Sequence, residues 1–230
     1  MQLADELKHA AADKALELVQ DGMLIGLGSG STARFFVEGL GRLVESGVKV
    51  RGVPSSRETA ELAASLGIPI VTELVGQIDL TVDGADEVDP ALNLIKGRGG
   101  ALFREKLVAS ASKRFVVVVD ESKLVPQLGA GVLPVEVLPF LWRSTAERVA
   151  ALCSSLVVRD GEENPFVTDN GNVILDLTVE GGITDPVGFG VDLKKITGVV
   201  EHGLFIGLTD TVIAAGPEGA RAIGRPSGRG

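Results

Sequence analysis

Short, uninterrupted apolar runs alternate with segments of helical periodicity through residues 3–119. Residues 3–19 carry apolar positions at helical spacing, and Asp21-Gly22 stops that helix. Met23-Leu24-Ile25-Gly26-Leu27 reads as a strand, a glycine-rich loop follows, and a second helix runs to Gly47. Residues 48–53 read as a strand and 58–66 as a helix stopped by Gly67; 68–71 and 78–82 are further strands. Residues 101–112 are helical, and Phe115-Val116-Val117-Val118-Val119 is the most β-prone stretch of the chain. Strands that are apolar at every position, rather than at every second one, need cover on both faces. The pattern therefore predicts a parallel sheet between helices, an α/β domain of Rossmann-like type.

The character changes at Leu133. Residues 133–140 read as a strand, 144–153 as a helix and 156–158 as a strand. An Asn170-Gly171 turn lies between β-prone flanks in 166–179; 186–196 is helical and 198–206 a strand. Strand, helix, paired strands, helix, strand is the split-βαβ order of a small α+β, ferredoxin-like domain. The expected division is a catalytic α/β domain from 1–132 and 207–230, with 133–206 inserted as a small, oligomer-forming domain. Residues 211–215 are expected to return to the first sheet, and 224–230 to form a loose tail.

Net charge is −9, and no Lys/Arg cluster interrupts it, which argues against a nucleic-acid partner. The longest apolar run falls far short of the roughly 20 residues of a membrane-spanning helix. Early acids at Asp5 and Glu6, with no basic stretch ahead of an apolar one, predict no secretory signal. The single cysteine, Cys153, fits a reducing, cytoplasmic setting and reads as a small buried filler.

Three segments carry chemistry. In Gly26-Leu27-Gly28-Ser29-Gly30-Ser31-Thr32, glycines between strand and helix let backbone N–H groups approach a phosphate, and the hydroxyls add donors. The spacing is neither the dinucleotide fingerprint nor a Walker loop; an ordinary turn with Ser31 as N-cap is the plainer alternative. Asp79-Leu80-Thr81-Val82-Asp83-Gly84-Ala85-Asp86-Glu87-Val88-Asp89 places five acids at a strand end, where parallel sheets build their sites. An all-oxygen magnesium site or a solvated acidic loop would also have this composition. Lys96-Gly97-Arg98-Gly99-Gly100 permits close backbone approach, and Glu105 falls in the first turns of the helix that follows. A carboxylate beside a lysine is what proton transfer next to a carbonyl requires, although Glu105 and Lys106 also read as exposed helix charges.

Taken together, these segments resemble the ribose-5-phosphate isomerases of the A type. The likeness begins at Asp5-Glu6-Leu7-Lys8 and takes in all three segments, then Arg104-Glu105-Lys106, Asp120-Glu121-Ser122-Lys123 and Leu133-Pro134-Val135-Glu136-Val137. The resemblance implies an aldose–ketose isomerase of the non-oxidative pentose phosphate pathway. It interconverts ribose 5-phosphate and ribulose 5-phosphate through an enediolate, without metal or coenzyme, as a homodimer. It assigns Glu105 as general base and Asp83 to proton transfer at the sugar hydroxyls. Asp86 and Lys96 position substrate and stabilise the intermediate. Ser29, Gly30, Ser31 and Thr32 match one substrate-binding loop. Gly84, Ala85, Gly97, Arg98 and Gly99 match further binding positions, and Lys8 a phosphate-facing lysine. Ala130 departs from the pattern, standing where the family often has a basic residue; Lys123 or Arg98 is the candidate replacement. A sugar-phosphate sensor domain and an acyl-CoA transferase-like or sugar-phosphate deaminase-like enzyme are the competing readings. The former lacks its basic helix-turn-helix, and the latter fit Asp83-Gly84-Ala85-Asp86-Glu87 less well.

Overall fold

Most of the apolar runs become strands, and the periodic segments become helices, in the computed structural model, which describes residues 2–224. In chain order, α1 (Gln2–Leu16), β1 (Leu24–Leu27), α2 (Gly30–Glu45), β2 (Arg51–Pro54), α3 (Arg57–Ser65) and β3 (Leu80–Asp83) come first. Next are β4 (Glu87–Val88), β5 (Leu94–Ile95), α4 (Leu102–Ser110), β6 (Phe115–Asp120) and a 3₁₀ turn, Glu121–Lys123. The rest is β7 (Leu133–Val137), α5 (Trp142–Ala150), β8 (Ser155–Val158), β9 (Val173–Thr178), α6 (Pro186–Lys195), β10 (Val199–His202), β11 (Leu204–Phe205), β12 (Thr211–Gly216) and β13 (Gly219–Gly224).

The chain divides into two units. Among the described residues, the first contains those up to Ala85, Arg104–Lys123 and those from Leu208 to Gly224; the second contains Asp86–Phe103 and Leu124–Gly207. The stretch 133–206 lies inside the second unit. Residues 86–103 join it there because β5 pairs with β11 (Leu204 with Ile95) and β4 pairs with β5.

The first unit is built on a six-stranded sheet of order β13-β12-β6-β3-β1-β2, parallel except for β13. Alternate side chains of its strands face opposite ways, so Val116 and Val118 of β6 pack with Ile25, Leu27, Leu80 and Val82 against Phe36, Val37 and Leu40 of α2. Ala11, Ala12 and Ala15 let α1 come close to the same core. On the other face Leu24, Ile78 and Val108 of α4 form a smaller cluster. Helices thus cover both faces, as the uninterrupted apolar strands require. Residues 68–71 are not a strand: Pro69 has no N–H to donate, and the contact reduces to its carbonyl and the Val71 N–H on Gly52. Residues 219–224 add β13, antiparallel to β12, so Gly224, the first residue of the expected tail, ends a strand; 225–230 lie outside the described residues.

The second unit carries a four-stranded antiparallel sheet of order β10-β7-β9-β8, the ferredoxin-like arrangement. Leu133, Val135 and Val137 of β7 and Val173, Leu175 and Leu177 of β9 form one face over Ala146, Val149 and Leu193 of the helices. Glu136, Ile174 and Asp176 alternate with them and face the other way. The Asn170-Gly171 turn forms, with Gly171 at φ +82°, but its leading flank pairs through one bridge, Val167 to Val173. Cys153 lies just past α5, half-buried, and burial pushes its thiol up from the ordinary value.

Asp79, counted among the acids of the candidate site, sits at the amino end of β3, opposite the end that carries Asp83. Its carboxylate accepts from Leu24 N (2.9 Å) and Lys113 Nζ (2.8 Å), tying β1 to the chain entering β6. The Lys113 hydrogen bond first, then the Leu24 N–H, holds this carboxyl below the usual carboxylate range. A lowered folded-state pKa contributes stability that is present above the unfolded value, near 3.9, and lost as pH falls through the folded one. Asp79→Asn is therefore expected to unfold at lower urea than wild type at pH 7, with the gap closing as pH falls below about 4. A gap independent of pH would show that the charge on Asp79 contributes nothing.

Candidate active site

In the first unit β1 lies between β2 and β3, so the chain leaves β1 towards one side of the sheet and later returns on the other. Such a reversal opens a crevice at the carboxyl ends of the strands. Both carboxyl ends bear predicted site residues. Leu27 is followed by Gly28, whose N–H donates to Val82 O (3.0 Å). A Cβ on Gly28 would lie 2.3 Å from Asp83 Oδ1 and 2.5 Å from its Cα, so glycine is what lets these ends meet.

Asp83, 1% exposed, accepts through Oδ1 from Ser29 N (3.1 Å) and Gly84 N (2.7 Å). Ser29, rather than the Ser31 of the plainer alternative, is the N-cap of α2, and Gly30 takes φ +81°. Its hydroxyl does not cap the helix. Ser29 Oγ instead donates to Oε1 of Glu105 at 2.6 Å, and Glu105, in the first turn of α4, is 5% exposed. The reading of Glu105 as an exposed helix charge is thereby excluded. The α2 N-terminus, not capped by the Ser29 side chain, carries the positive end of the helix dipole at Gly30, Ser31 and Thr32. Thr32 Cβ lies 3.8 Å from where a Gly84 Cβ would stand, which brings the β1 and β3 loops together. Lys8 pairs with Asp5 on its own helix (3.3 Å), and Lys123 closes the 3₁₀ turn at the carboxyl end of β6.

The second unit holds the other group. Asp86 N donates to Ile95 O (2.9 Å), and the Asp86 carboxylate accepts from Arg98 N (3.1 Å) with Arg98 Nε 3.9 Å away. Lys96 is 2% exposed, its N–H on Gly203 O (2.9 Å) and its ammonium 5.6 Å from the Phe205 ring centroid. Gly97 to Gly100 form a turn closed by Gly100 N to Gly97 O (3.0 Å), with φ +110° and +83° at its ends. Ala85 connects the two groups along the chain.

The remaining acids are engaged by protein donors. Glu87, buried, accepts from Gly129 N (2.7 Å), Ala130 N (3.3 Å) and Gly131 N (2.5 Å), and so holds the loop in which Ala130 departs from the family pattern. Asp89 accepts from the backbone and side chain of Asn93. Among the described residues no three His, Cys, Asp or Glu side chains are grouped as metal ligands would be. Glu87 is a structural residue that its place in the acidic run concealed. Arg159, whose Nη1 donates to Gly97 O and Arg98 O, was not visible as a site neighbour, its partners being about 60 residues away in sequence.

Residues 51–219 match the family model described as ribose 5-phosphate isomerase A (phosphoriboisomerase A). The chain belongs to the ribose 5-phosphate isomerase A family. Ribose-5-phosphate isomerase A of Bradyrhizobium diazoefficiens is 50% identical over 238 residues, covering 98% of each chain. Ribose 5-phosphate isomerase from Plasmodium falciparum superposes with a TM-score of 0.92 at 38% identity, over 97% of this chain and 100% of that one. A D-ribose-5-phosphate isomerase solved in complex with phospho-erythronic acid gives 0.91 at 40% identity, over 96% and 99%. The family fold, an α/β sheet domain with a small α+β domain, is the fold predicted from the strand pattern.

The close packing at the head of this site is open to test. Gly28→Ala forces the β1 and β3 loops apart at Asp83, and displacement by about 1 Å near reacting groups costs on the order of 100-fold in turnover. That loss is expected with an unchanged far-UV spectrum. Wild-type turnover would show that Asp83 yields without consequence.

Proposed function

We propose that this chain interconverts ribose 5-phosphate and ribulose 5-phosphate, with Glu105 moving the proton between C2 and C1. The observation that carries this is the Ser29–Glu105 hydrogen bond. It holds a nearly buried carboxylate beside a helix N-terminus that suits an anion. A base takes the C2 proton of the open-chain aldose, an enediolate forms, and the same carboxylate returns the proton to C1. The hydrogen bond from Ser29 leaves Oε1 oriented, and the short side chain of Ser29 ties that orientation to the glycine loop.

Asp83, tied to both loops, is placed to exchange protons with the sugar hydroxyls. Asp86 and Lys96 position substrate and meet the charge developing on the enediolate oxygens, where fixed donors lower the barrier most. Ser29, Gly30, Ser31 and Thr32, with Gly84, Ala85, Gly97, Arg98 and Gly99, line the bound sugar phosphate. Lys8 and Lys123 supply cations that an acidic chain must concentrate around a phosphate. Because the phosphate is remote from the reacting carbons, its binding chiefly orients the chain of the sugar.

The chemistry places the reaction in the non-oxidative pentose phosphate pathway. The single cysteine, Cys153, which forms no disulfide within the chain, supports a cytoplasmic setting. Exposed Leu138, Phe140 and Leu141 of the second unit support pairing of two copies, a homodimer. Among the described residues no helix is long and apolar enough to cross a membrane.

The purified protein is expected to form ketose from ribose 5-phosphate in chelator-treated buffer without nucleotide, with phospho-erythronic acid as a competitive inhibitor. Activity that disappears with chelator and returns with magnesium would overturn the metal-free assignment of the chemistry to Glu105, Asp83, Asp86 and Lys96.

A further inference from the structure

The face of the four-stranded sheet opposite its helices is not bare. Arg159 follows β8 immediately, its N–H on Ile174 O (3.0 Å), and its side chain lies on the same face as Asp176 of β9. The two form a bidentate pair: Nε donates to Asp176 Oδ2 (2.9 Å) and Nη2 to Oδ1 (2.5 Å). Both side chains are largely buried, at 13% and 17% exposed. The remaining amino group, Nη1, donates to Gly97 O and to Arg98 O, each at 3.0 Å. Four N–H bonds of one rigid planar group thus run from the sheet to two consecutive carbonyls of the glycine loop.

Phe166 completes the support. The guanidinium stands 5.8 Å from its ring centroid, and the ring occupies the space a Gly100 side chain would fill, 2.5 Å from an ideal Cβ.

The consequence lies on the far side of the peptide planes. In a trans peptide the C=O and the N–H of the next residue point in opposite directions. With the Gly97 carbonyl held on Arg159, the Arg98 N–H is turned away from it, and it donates to Asp86. With the Arg98 carbonyl held on the same nitrogen, the Gly99 N–H is turned to the side that the Arg98 N–H faces. The first of these donors is taken by the Asp86 carboxylate, which leaves the Gly99 N–H as the one that can meet an anionic oxygen on that side.

We infer that Arg159 is a positioning residue for the isomerisation: fixed by Asp176, it holds the Gly97 and Arg98 carbonyls, and thereby sets the Arg98 N–H on Asp86 and aims the Gly99 N–H at the negative charge of the intermediate. This rests on the proposal that Lys96, Gly97, Arg98 and Gly99 meet substrate. Lysine in its place keeps the charge but lacks the planar fork, and cannot hold Asp176 and both carbonyls in one plane.

The test measures Arg159→Lys in steady-state kinetics, with inhibition constants for phospho-erythronic acid, whose carboxylate carries charge near the reacting end, and for inorganic phosphate. A tenfold or greater fall in kcat is expected, with KM and inhibition by inorganic phosphate changed less than about twofold and phospho-erythronic acid weakened about tenfold. A folded Arg159→Lys enzyme with wild-type kcat overturns the inference. So does a variant in which both inhibitors weaken in equal proportion, because a purely structural role would do that. Asp176→Asn keeps Arg159 but loosens its fork; it reads the same split if the lysine variant does not fold. Lys96→Met separates the two levels of the argument. If it leaves kcat and phospho-erythronic acid binding intact, the loop does not meet substrate and the reading beneath the inference fails. If it abolishes both while Arg159→Lys changes neither, the role of Arg159 alone is rejected.

Discussion

The carboxyl ends of β1 and β3 approach so closely that no side chain fits at Gly28, and the site of the first unit is built around that approach. The Asp83 carboxylate takes N–H bonds from Ser29 on one loop and Gly84 on the other, so a single buried acid fixes both. Because Ser29 is held there by its backbone, its hydroxyl is directed to Glu105 instead of to the helix it begins. The first turn of α2 is not capped by that side chain and keeps the positive end of its dipole, which is what a chain of net charge −9 needs if it is to bind an anion without a basic patch.

Backbone donors and fixed charges recur in the second unit. There Glu87 gathers the three amides of Gly129, Ala130 and Gly131, so an internal carboxylate occupies one turn of the kind that elsewhere receives an anion. Arg159 works in the opposite sense, drawing carbonyls to one side so that N–H groups face the other. The ferredoxin-like sheet therefore does more than pack its helices: its second face carries Arg159 and Asp176, and the glycine loop rests on them.

Much of this was legible in the chain. Apolar runs without alternation gave the parallel sheet, and the order from Leu133 to residue 206 gave the small domain's sheet. Ser29, Asp83 and Glu105 were all named from their segments, and the structure brings them into one hydrogen-bonded group. What escaped had physical reasons. Residues 219–224 of β13 are alanine-, glycine- and arginine-bearing and mostly exposed, so no apolar period marked them. The two-residue strands β4, β5 and β11 are too short to show any period. Asp79 and Asp83 lie four residues apart and look alike in sequence, yet a four-residue strand separates them to opposite ends of the sheet. Arg159 has no local signal, since its partners come from β9 and from a distant loop.

The central claim is that Glu105 alone carries the proton between C2 and C1. Glu105→Gln preserves volume and can still accept from Ser29, but it has no carboxylate to take a proton. Proton NMR in deuterated water follows the substrate hydrogens directly. Wild type is expected to exchange solvent deuterium into C2 of the aldose and C1 of the ketose. Glu105→Gln should slow both that exchange and turnover by about 100- to 10,000-fold, the usual cost of losing a general base, while still binding phospho-erythronic acid. Exchange in Glu105→Gln within tenfold of wild type would contradict the account and move the base to another residue, Asp83 first.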